Sequence, residues 1–364
     1  MMRTDEENDN KAGFVRFVDR SLLLSMAPVI ESFHIKIGRH SDADVGFWVS
    51  IAVERGLREL DFDYFECGFE PRRLPQSLFT CGTLVVLKLR NVSLVDVRFP
   101  VCFQLLKTLH LDYVLFLDDE SPKTLLSSCP VLEVFHLTRD DDLDDVVTFS
   151  VMVPSLQRFF YCGGPELVMN TPSLKYLTLS EYGDKCSMIE YLPEIVEAYV
   201  QEVTCSNTDD ILRSIASVKR LFLCLPSKPK FPTGSIFHRL QHLEFCTSES
   251  EWDLLMSMLQ HSPKLRSLKL YEHHGCIVRD PMLHWEEPSS VPETLKFVLE
   301  TFEWRKYKGW MIQKELATFI LKHSRRLKIA IFSPDTTNLR KKHPLITELA
   351  RLSRGSTECE LVFG

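Results

Sequence analysis

Residues 84–89 of the chain read LVVLKL, and residues 106–111, 174–179 and 265–270 read LKTLHL, LKYLTL and LRSLKL. All four stretches are copies of one pattern, L-x-x-L-x-L, in which x is any residue. Weaker copies with other aliphatic or aromatic residues at the same spacing begin at Ile30, Leu57, Leu132, Leu156, Val218 and Leu240. Degraded copies begin at Ile195, Leu299 and Leu327, so the pattern occurs thirteen times along the chain.

The spacing inside each copy has a direct structural meaning. The fourth and sixth residues lie two apart, so on a strand both point to one face. Stacked in parallel, one strand per repeat, they bury a ladder that no single repeat could bury alone. Blocks of roughly 20–29 residues therefore predict an α/β leucine-rich-repeat solenoid. We expect a horseshoe with a parallel sheet on its concave face and helices and loops on its convex face. One L-x-L would fit any half-buried strand, but thirteen ordered copies favour the repeat.

The connections between the strands should cover the convex face, and several of them carry helix signals. Apolar residues at spacing i, i+3, i+4 and i+7 predict a helix that Gly56 ends. These residues are Val45, Trp48, Val49 and Ala52. Ser121 and Pro122 predict a second helix, with a serine cap followed by a proline at the first helical position.

The composition is that of a soluble globular protein, because 45% of the 364 residues are hydrophobic and 26% are charged. A net charge of −7 with both signs interspersed gives no long-range attraction to nucleic acid or anionic membranes. The sequence has neither the apolar core of a signal peptide nor the roughly 18–20 apolar residues of a membrane span. We expect a protein of the cytoplasm, the nucleus or both, with neither nucleic acid nor membrane as a partner.

The sequence contains no recognisable catalytic motif. Phosphate-binding loops, dinucleotide fingerprints, nucleophile elbows and the H-E-x-x-H zinc motif are all missing, and the eleven cysteines include no C-x-x-C pair. Residues 162–165, CGGP, fit a loop better than a nucleophile on a turn. His273, His274, Cys276 and His284 could ligate metal, but adjacent histidines in an extended chain point opposite ways. We expect free thiols, no metal or other cofactor, and no enzyme activity.

Five aspartates form the densest run of like charge in the chain. They are Asp140, Asp141, Asp142, Asp144 and Asp145. Calcium-binding loops need a turn glycine and a distal glutamate at set spacing, which this run lacks. The run therefore predicts a solvated loop that leaves a strand.

The C-terminal part of the chain carries three longer motifs. Residues 285–295 read WEEPSSVPETL, residues 299–309 read LETFEWRKYKG, and residues 315–329 read ELATFILKHSRRLKI. Together they resemble the FBD domain of plant F-box/LRR proteins, and residues 356–363, STECELVF, resemble its closing strand. Departures are small: Thr294 stands where that family usually has cysteine, and His323-Ser324 where it often has Asn-Ala. Residues 17–37 and 48–60 are similar to the linker and first repeats of the same family.

The resemblance implies a division of the chain and one missing part. We expect a disordered polar N-terminus over residues 1–16, leucine-rich repeats over 17–275, and an FBD-like domain over 276–364 that caps the solenoid and continues its sheet. Members of the family normally begin with an F-box, the helical segment that docks the adaptor of a cullin ubiquitin ligase. Nothing in residues 1–16 aligns with it.

The side chains between the buried ladder positions are the candidate binding residues. They should line the concave face and bind a protein client, since they mix charge with aromatic rings as protein interfaces do. They are Lys88, Arg90, His110, Asp112, His136, Arg158, Phe160, Tyr176, Arg220, Phe222, His242, Glu244, Lys269 and Tyr271.

Three classes of function fit the sequence. The first is a noncatalytic binding protein, related to ubiquitin-ligase substrate receptors, that works without the ligase adaptor. The second is a genuine substrate receptor whose F-box exon is missing from this chain. An F-box encoded in frame upstream of Met1 would favour the second class. The third class is an enzyme, which the missing catalytic motifs disfavour.

We predict that the 364-residue chain by itself does not bind the cullin-ligase adaptor, because no F-box-like segment precedes Phe17. The test is co-purification of the chain with the adaptor, using a full F-box protein as the positive control. A stoichiometric complex between the adaptor and this chain would contradict the prediction.

Overall fold

Thirteen strands of the structure, a computed structural model, lie where the thirteen L-x-x-L-x-L copies predict them. The structure describes residues 3–25, 27–38, 45–65, 72–94, 101–140, 144–164, 166–181, 187–203, 208–225, 231–232, 234–246, 252–272, 285 and 287–364. The chain forms two compact units, Met1–Leu174 and Lys175–Gly364. Each unit is described by itself below.

The described residues of the first unit form ten strands and four helices. The strands are β1 (Ser32–Gly38), β2 (Glu59–Phe65), β3 (Arg72–Arg73), β4 (Val86–Arg90), β5 (Val92–Ser93), β6 (Thr108–Asp112), β7 (Val134–Thr138), β8 (Thr148–Met152), β9 (Arg158–Gly163) and β10 (Glu166–Asn170). The helices are α1 (Arg3–Leu24), α2 (Val45–Glu54), α3 (Gln76–Phe79) and α4 (Glu120–Ser127).

Six strands of the first unit form a parallel sheet in the order β1, β2, β4, β6, β7, β9. Equivalent positions of successive repeats are direct neighbours, so Leu87 lies beside Leu109 and Leu109 beside Phe135. These inner side chains are buried, whereas the residues between them are half-buried and face outward. The predicted alternation is therefore confirmed. Two smaller parallel pairings join β8 with β10 and β3 with β5.

Helix α1 occupies most of the segment 1–16 for which the sequence predicts disorder. A polar composition argues against burial of a segment but not against a helix, because Glu, Lys and Arg are good helix formers. The helix is fixed near its C-terminal end, where Leu22 is buried and Trp48 Nε1 donates a hydrogen bond of 2.6 Å to Asp19 Oδ1. No described helix, α1 included, has both the length and the apolar character that crossing a membrane requires.

The two predicted helices of the repeats exist, but one begins earlier than expected. Helix α2 buries the predicted face of Val45, Trp48, Val49 and Ala52. Helix α4 begins at Glu120, so Ser121 lies inside it and is not its cap. Asp118 makes the contact expected of a cap, because its Oδ1 accepts the Ser121 backbone N–H at 2.9 Å and the Ser121 hydroxyl at 2.7 Å. An aspartate upstream of a serine is an equally good acceptor, and here it displaces the predicted boundary.

The side chain of Asp144 is only 7% exposed, which corrects the prediction that the aspartate run is solvated. Its carboxylate pairs with the guanidinium of Arg139, a residue that is 2% exposed. Asp144 also accepts backbone hydrogen bonds from Phe116, at 2.7 Å, and from Val146, at 3.0 Å. Asp145 is exposed as expected, and residues 141–143 lie outside the described residues. Charge density along the chain could not indicate this arrangement, because the pairing depends on how the chain folds back on itself.

The described residues of the second unit form nine strands and five helices. The strands are β11 (Tyr176–Glu181), β12 (Met188–Ile189), β13 (Glu197–Gln201), β14 (Arg220–Cys224), β15 (His242–Cys246), β16 (Ser267–Tyr271), β17 (Thr301–Tyr307), β18 (Ile329–Pro334) and β19 (Glu360–Phe363). The helices are α5 (Thr208–Ser214), α6 (Trp252–Gln260), α7 (Glu293–Phe297), α8 (Met311–His323) and α9 (Leu339–Ala350).

Eight strands of the second unit form a parallel sheet in the order β11, then β13 to β19. Its register continues into the FBD-like residues, since Leu268 lies beside Phe302, Phe302 beside Ala330, and Ala330 beside Leu361, and it shifts once near the end of β17, between Arg305 and Tyr307. The compact units divide at residue 174 and not near residue 275, where the sequence places the start of the last domain. That predicted boundary falls in residues 273–284, outside the described residues.

The aromatic residues of the FBD-like region belong mainly to the core. Trp304 and Tyr307 are fully buried and meet edge to face, with ring centroids 5.3 Å apart. Trp285 is half-buried and packs on Phe319 at a centroid distance of 4.9 Å. Trp304 is the last residue of a degraded copy, and the spacing of that copy correctly predicts that Trp304 points inward.

We predict that Asp144→Asn destabilises the protein by about 3–5 kcal/mol, because it removes the charge that compensates the buried guanidinium of Arg139. The matched control is Asp145→Asn, which makes the same change at an exposed neighbour and should alter stability by less than ~0.5 kcal/mol. Urea unfolding of the three proteins measures both values. Equal midpoints for Asp144→Asn and the parent chain would refute a role for this pair.

Candidate protein-binding face

Side chains that point away from the core of the first unit line up in rows across its strands. The middle row contains His34, Asp61, Lys88, His110, His136 and Phe160, one from each strand of the sheet. A second row, two residues further along each strand, contains Lys36, Asp63, Arg90, Asp112, Thr138 and Cys162. We call these two rows the outward face of the first unit. Six predicted binding residues lie on it: Lys88, Arg90, His110, Asp112, His136 and Phe160.

Charged side chains of this face form a connected network. Arg90 bridges two carboxylates, with Nη1 3.0 Å from Asp61 Oδ1 and Nε 3.2 Å from Asp112 Oδ2. Lys88 Nζ lies 3.5 Å from Glu59 Oε1 and 3.9 Å from Asp61 Oδ2. Single exposed ion pairs contribute little to stability, but several half-buried charges that contact one another restrict the movement of each side chain. These side chains are therefore held in position before any partner arrives, which lowers the entropic cost of binding.

Three rings stack beside this charge network. The centroids of His110 and His136 are 5.1 Å apart with planes at 17°, and those of His136 and Phe160 are 4.0 Å apart at 11°. His136 Nε2 lies 3.2 Å from Asp112 Oδ1 and 3.2 Å from Thr138 Oγ1. All three rings are half-buried. The face thus offers flat apolar surface next to fixed charges, the mixture found at the centres of protein interfaces.

The protonation of this face follows from burial and neighbouring charge. Burial lowers the pKa of His110, and the nearby His136, Lys88 and Arg90 lower it further, against an opposing contribution from Asp112. Burial raises the pKa of Asp112, but its contact with His136 and the charge of Arg90 outweigh burial and leave that pKa below its ordinary value. At neutral pH the His110 ring is therefore uncharged and the Asp112 carboxylate is ionised.

The outward side of the second unit carries an aromatic cluster. Phe222 stacks on Tyr199 with ring centroids 3.6 Å apart and planes at 10°, and lies 4.9 Å from the ring of Tyr271. Phe222 is only 7% exposed, because it packs with both tyrosines and with Cys224 and Cys246. The sequence predicts Phe222 as a binding residue, but in the structure this ring exposes little surface. The exposed ring at this place is Tyr199, with 39% of its surface accessible.

The predicted binding residues fall into two groups of seven, one in each unit. In the first unit, Arg158 joins the six residues of the outward face and is exposed at the start of β9. In the second unit, the predicted residues are Tyr176, Arg220, Phe222, His242, Glu244, Lys269 and Tyr271, on β11, β14, β15 and β16. Lys269 Nζ lies 2.8 Å from Glu244 Oε2 on the neighbouring strand.

Three outward residues are missing from the predicted binding residues. His34, Asp61 and Tyr199 are each the fifth residue of a copy, in those that begin at Ile30, Leu57 and Ile195. Each lies in a row of outward side chains in the structure. The signal is present in the sequence, because the fifth position of every copy lies between the two inward positions. The rule that predicts His136 and Phe160 from weaker copies also places these three residues outward.

Of the catalytic and metal candidates, the structure describes only Cys162, Gly163 and Gly164. Cys162 is half-buried in β9, and a Cβ at Gly163 would lie 3.0 Å from the carbonyl oxygen of Arg139, so glycine permits a close backbone approach. Pro165 and the candidates His273, His274, Cys276 and His284 lie outside the described residues. Within the described ranges, no three His, Cys, Asp or Glu side chains are grouped to hold a metal ion.

Comparison with known proteins identifies the family. Residues 45–199 match the family model for the leucine-rich repeats of FBD-associated F-box protein At5g56370, and residues 286–332 match the FBD model. The chain is 68% identical to FBD-associated F-box protein At5g56370 of Arabidopsis thaliana over 99% of this chain and 88% of the relative. The chain belongs to the FBD-associated F-box family. The resemblance seen in the sequence motifs is thereby confirmed.

Further members of the family align over nearly the same span. F-box/FBD/LRR-repeat protein At5g56420 of Arabidopsis thaliana is 46% identical, over 96% of this chain and 85% of the relative. F-box/FBD/LRR-repeat protein At3g52680 of the same plant is 41% identical, over 99% of this chain and 83% of the relative. In the present chain, the residues that match the FBD model begin before α7 and end within β18. The residues that match the repeat model run from α2 into β13.

We predict that part of the stability of this protein is lost as pH falls from about 7 to 5. The pKa of His110 is lowered by folding, so the unfolded chain binds a proton at higher pH than the folded chain, and acid favours unfolding. His110→Gln should show a smaller loss of melting temperature over this pH range than the parent chain. His238→Gln, a change at an exposed histidine, is the control. An unchanged pH dependence in His110→Gln would contradict the assignment.

Proposed function

We propose that this chain is a noncatalytic protein-interaction protein that binds a client through the outward side of its strands. The observation that carries the proposal is the outward face of the first unit, where Arg90, Asp112 and His136 link ion pairs to stacked rings. In this proposal the repeats form a horseshoe and the outward side is its concave face. The client is unidentified, because these side chains define a chemistry and not a single partner.

The arrangement of polar groups around His136 favours binding over catalysis. Asp112, His136 and Thr138 superficially resemble the acid, base and nucleophile of a hydrolase. In such a triad the acid and the nucleophile contact opposite nitrogens of the imidazole. Here both Asp112 Oδ1 and Thr138 Oγ1 approach the same atom, Nε2, at 3.2 Å. The imidazole of His136 therefore cannot lie between the aspartate and the threonine as it does in a triad. In this proposal Asp112, His136 and Thr138 form a rigid polar surface.

Family membership favours a related role as the second candidate function. The relatives are named F-box proteins, and the resemblance found in the sequence implies a substrate receptor of a cullin ubiquitin ligase. In that role the outward side would hold the protein to be ubiquitinated, and an F-box encoded with this chain would hold the ligase adaptor. We place the protein in the cytoplasm, the nucleus or both, where such clients occur.

We predict that His136→Ala combined with Phe160→Ala abolishes client capture without unfolding the chain. Both rings are half-buried on the outward face, so truncation removes binding surface while the inner leucine ladder stays intact. The measurement is quantitative affinity purification of the tagged chain from plant extract, with circular dichroism as a check of folding. Truncation of interface anchors typically costs 2 kcal/mol or more, so captured client should fall by about thirtyfold or more.

The matched control is Leu105→Ala combined with Val131→Ala, which removes exposed apolar side chains that precede strands β6 and β7 and lie off the outward face. This control should retain its clients. If the control loses the same clients and the His136/Phe160 variant keeps them, binding occurs elsewhere on the chain. Adaptor recovered together with the clients would favour the ligase-receptor candidate.

A further inference from the structure

Tyr199 presents one face of its ring to the outside and uses the other face for packing. The ring stacks on Phe222, with centroids 3.6 Å apart and planes at 10°, so that face is covered. On the opposite side, the residue in register on β11 is Thr178. A threonine side chain is too short to cover a phenol ring, and Tyr199 accordingly keeps 39% of its surface exposed. The uncovered ring face is the open end of the aromatic cluster.

Two carboxylates lie near this ring, on different sides of it. Glu197 precedes Tyr199 by two residues on β13 and therefore projects from the same side of the sheet. Glu244 follows Phe222 in the same row on β15, so it lies beyond Phe222, on the side of the ring that Phe222 covers. Both carboxylates act on Tyr199 electrostatically and, together with burial, raise the pKa of its phenol. Each side chain is 41% exposed, so each is accessible to a partner.

Two basic side chains of this chain already contact these carboxylates, but neither occupies the open face of the Tyr199 ring. Arg220 Nη1 lies 3.8 Å from Glu197 Oε2, and both side chains are largely exposed, so the pair is weak. Lys269 Nζ lies 2.8 Å from Glu244 Oε2 and occupies the side of that carboxylate towards β16, away from Tyr199. The surroundings of the ring thus remain suited to positive charge.

We infer that the uncovered face of Tyr199 binds an arginine side chain of the client protein. An aromatic face attracts a cation, and a planar guanidinium can stack on the ring while its N–H groups reach the Glu197 carboxylate. Lysine carries the same charge but cannot combine stacking with a forked contact to a carboxylate. The inference rests on the proposed function, since it names the chemistry of one client residue for the second unit.

The test uses the full chain labelled with 3-fluorotyrosine and ¹⁹F nuclear magnetic resonance. Tyr199→Phe removes one signal and so assigns it. The probe is N-acetyl-arginine amide, and N-acetyl-citrulline amide is its uncharged analogue of nearly the same shape. We expect the Tyr199 signal to shift saturably with the arginine probe and to require about tenfold more citrulline probe. N-acetyl-lysine amide should also bind more weakly than the arginine probe.

Charge variants provide the second measurement. Glu197→Gln should weaken binding of the arginine probe a few-fold, because an exposed carboxylate contributes modestly. Glu194→Gln makes the same change of charge at an exposed residue off this row and should have no effect. Equal binding of the arginine and citrulline probes, equal binding of the arginine and lysine probes, or an unchanged affinity in Glu197→Gln would overturn the inference.

Failure of this inference is distinguishable from failure of the proposed function. If the probe does not move the Tyr199 signal while the His136/Phe160 variant still loses its clients, the inference falls and the proposed function stands. If the probe binds as expected but outward-side variants capture clients normally, the Tyr199 site stands and the proposed function falls.

Discussion

In-register parallel pairing of successive strands is the constraint on which the rest of each unit depends. It places Leu87, Leu109 and Phe135 side by side, and so turns isolated apolar positions into one continuous buried layer. A slip of one residue in any strand would exchange its inner and outer side chains, exposing leucines and burying charges. Burial of the ladder therefore fixes the register, and the register in turn fixes every outward side chain.

The surface chemistry is a consequence of the same spacing. Neighbouring strands lie about 4.8 Å apart, so rings at equivalent positions are brought to stacking distance. His136 and Phe160 at 4.0 Å, and Tyr199 and Phe222 at 3.6 Å, are such neighbours. Opposite charges at equivalent positions likewise meet, as Glu244 and Lys269 do. A repeat protein can thus build an ordered binding surface from residues far apart in sequence without a dedicated loop.

The FBD-like residues extend this principle beyond the regular repeats. Their strands β17, β18 and β19 continue the register of β16, although the copies that encode them are degraded. Phe302 and Ala330 occupy the inner positions that leucine holds elsewhere, and helix α8 buries an apolar face of its own.

The sequence by itself determined the repeat, the inward and outward positions and the core role of Trp304, because each depends on local residue spacing. It also determined the family, because the FBD motifs are continuous stretches of sequence. Most candidate binding residues could be found in the same way, and the same rule also places His34, Asp61 and Tyr199 outward. The tertiary structure alone decided that Asp144 is buried against Arg139, that Phe222 is covered by tyrosines, and that His110, His136 and Phe160 stack. These contacts join side chains from different strands or from separate parts of one loop. The distances between them depend on strand pairing and on the path of the loops, so no local sequence pattern predicts them.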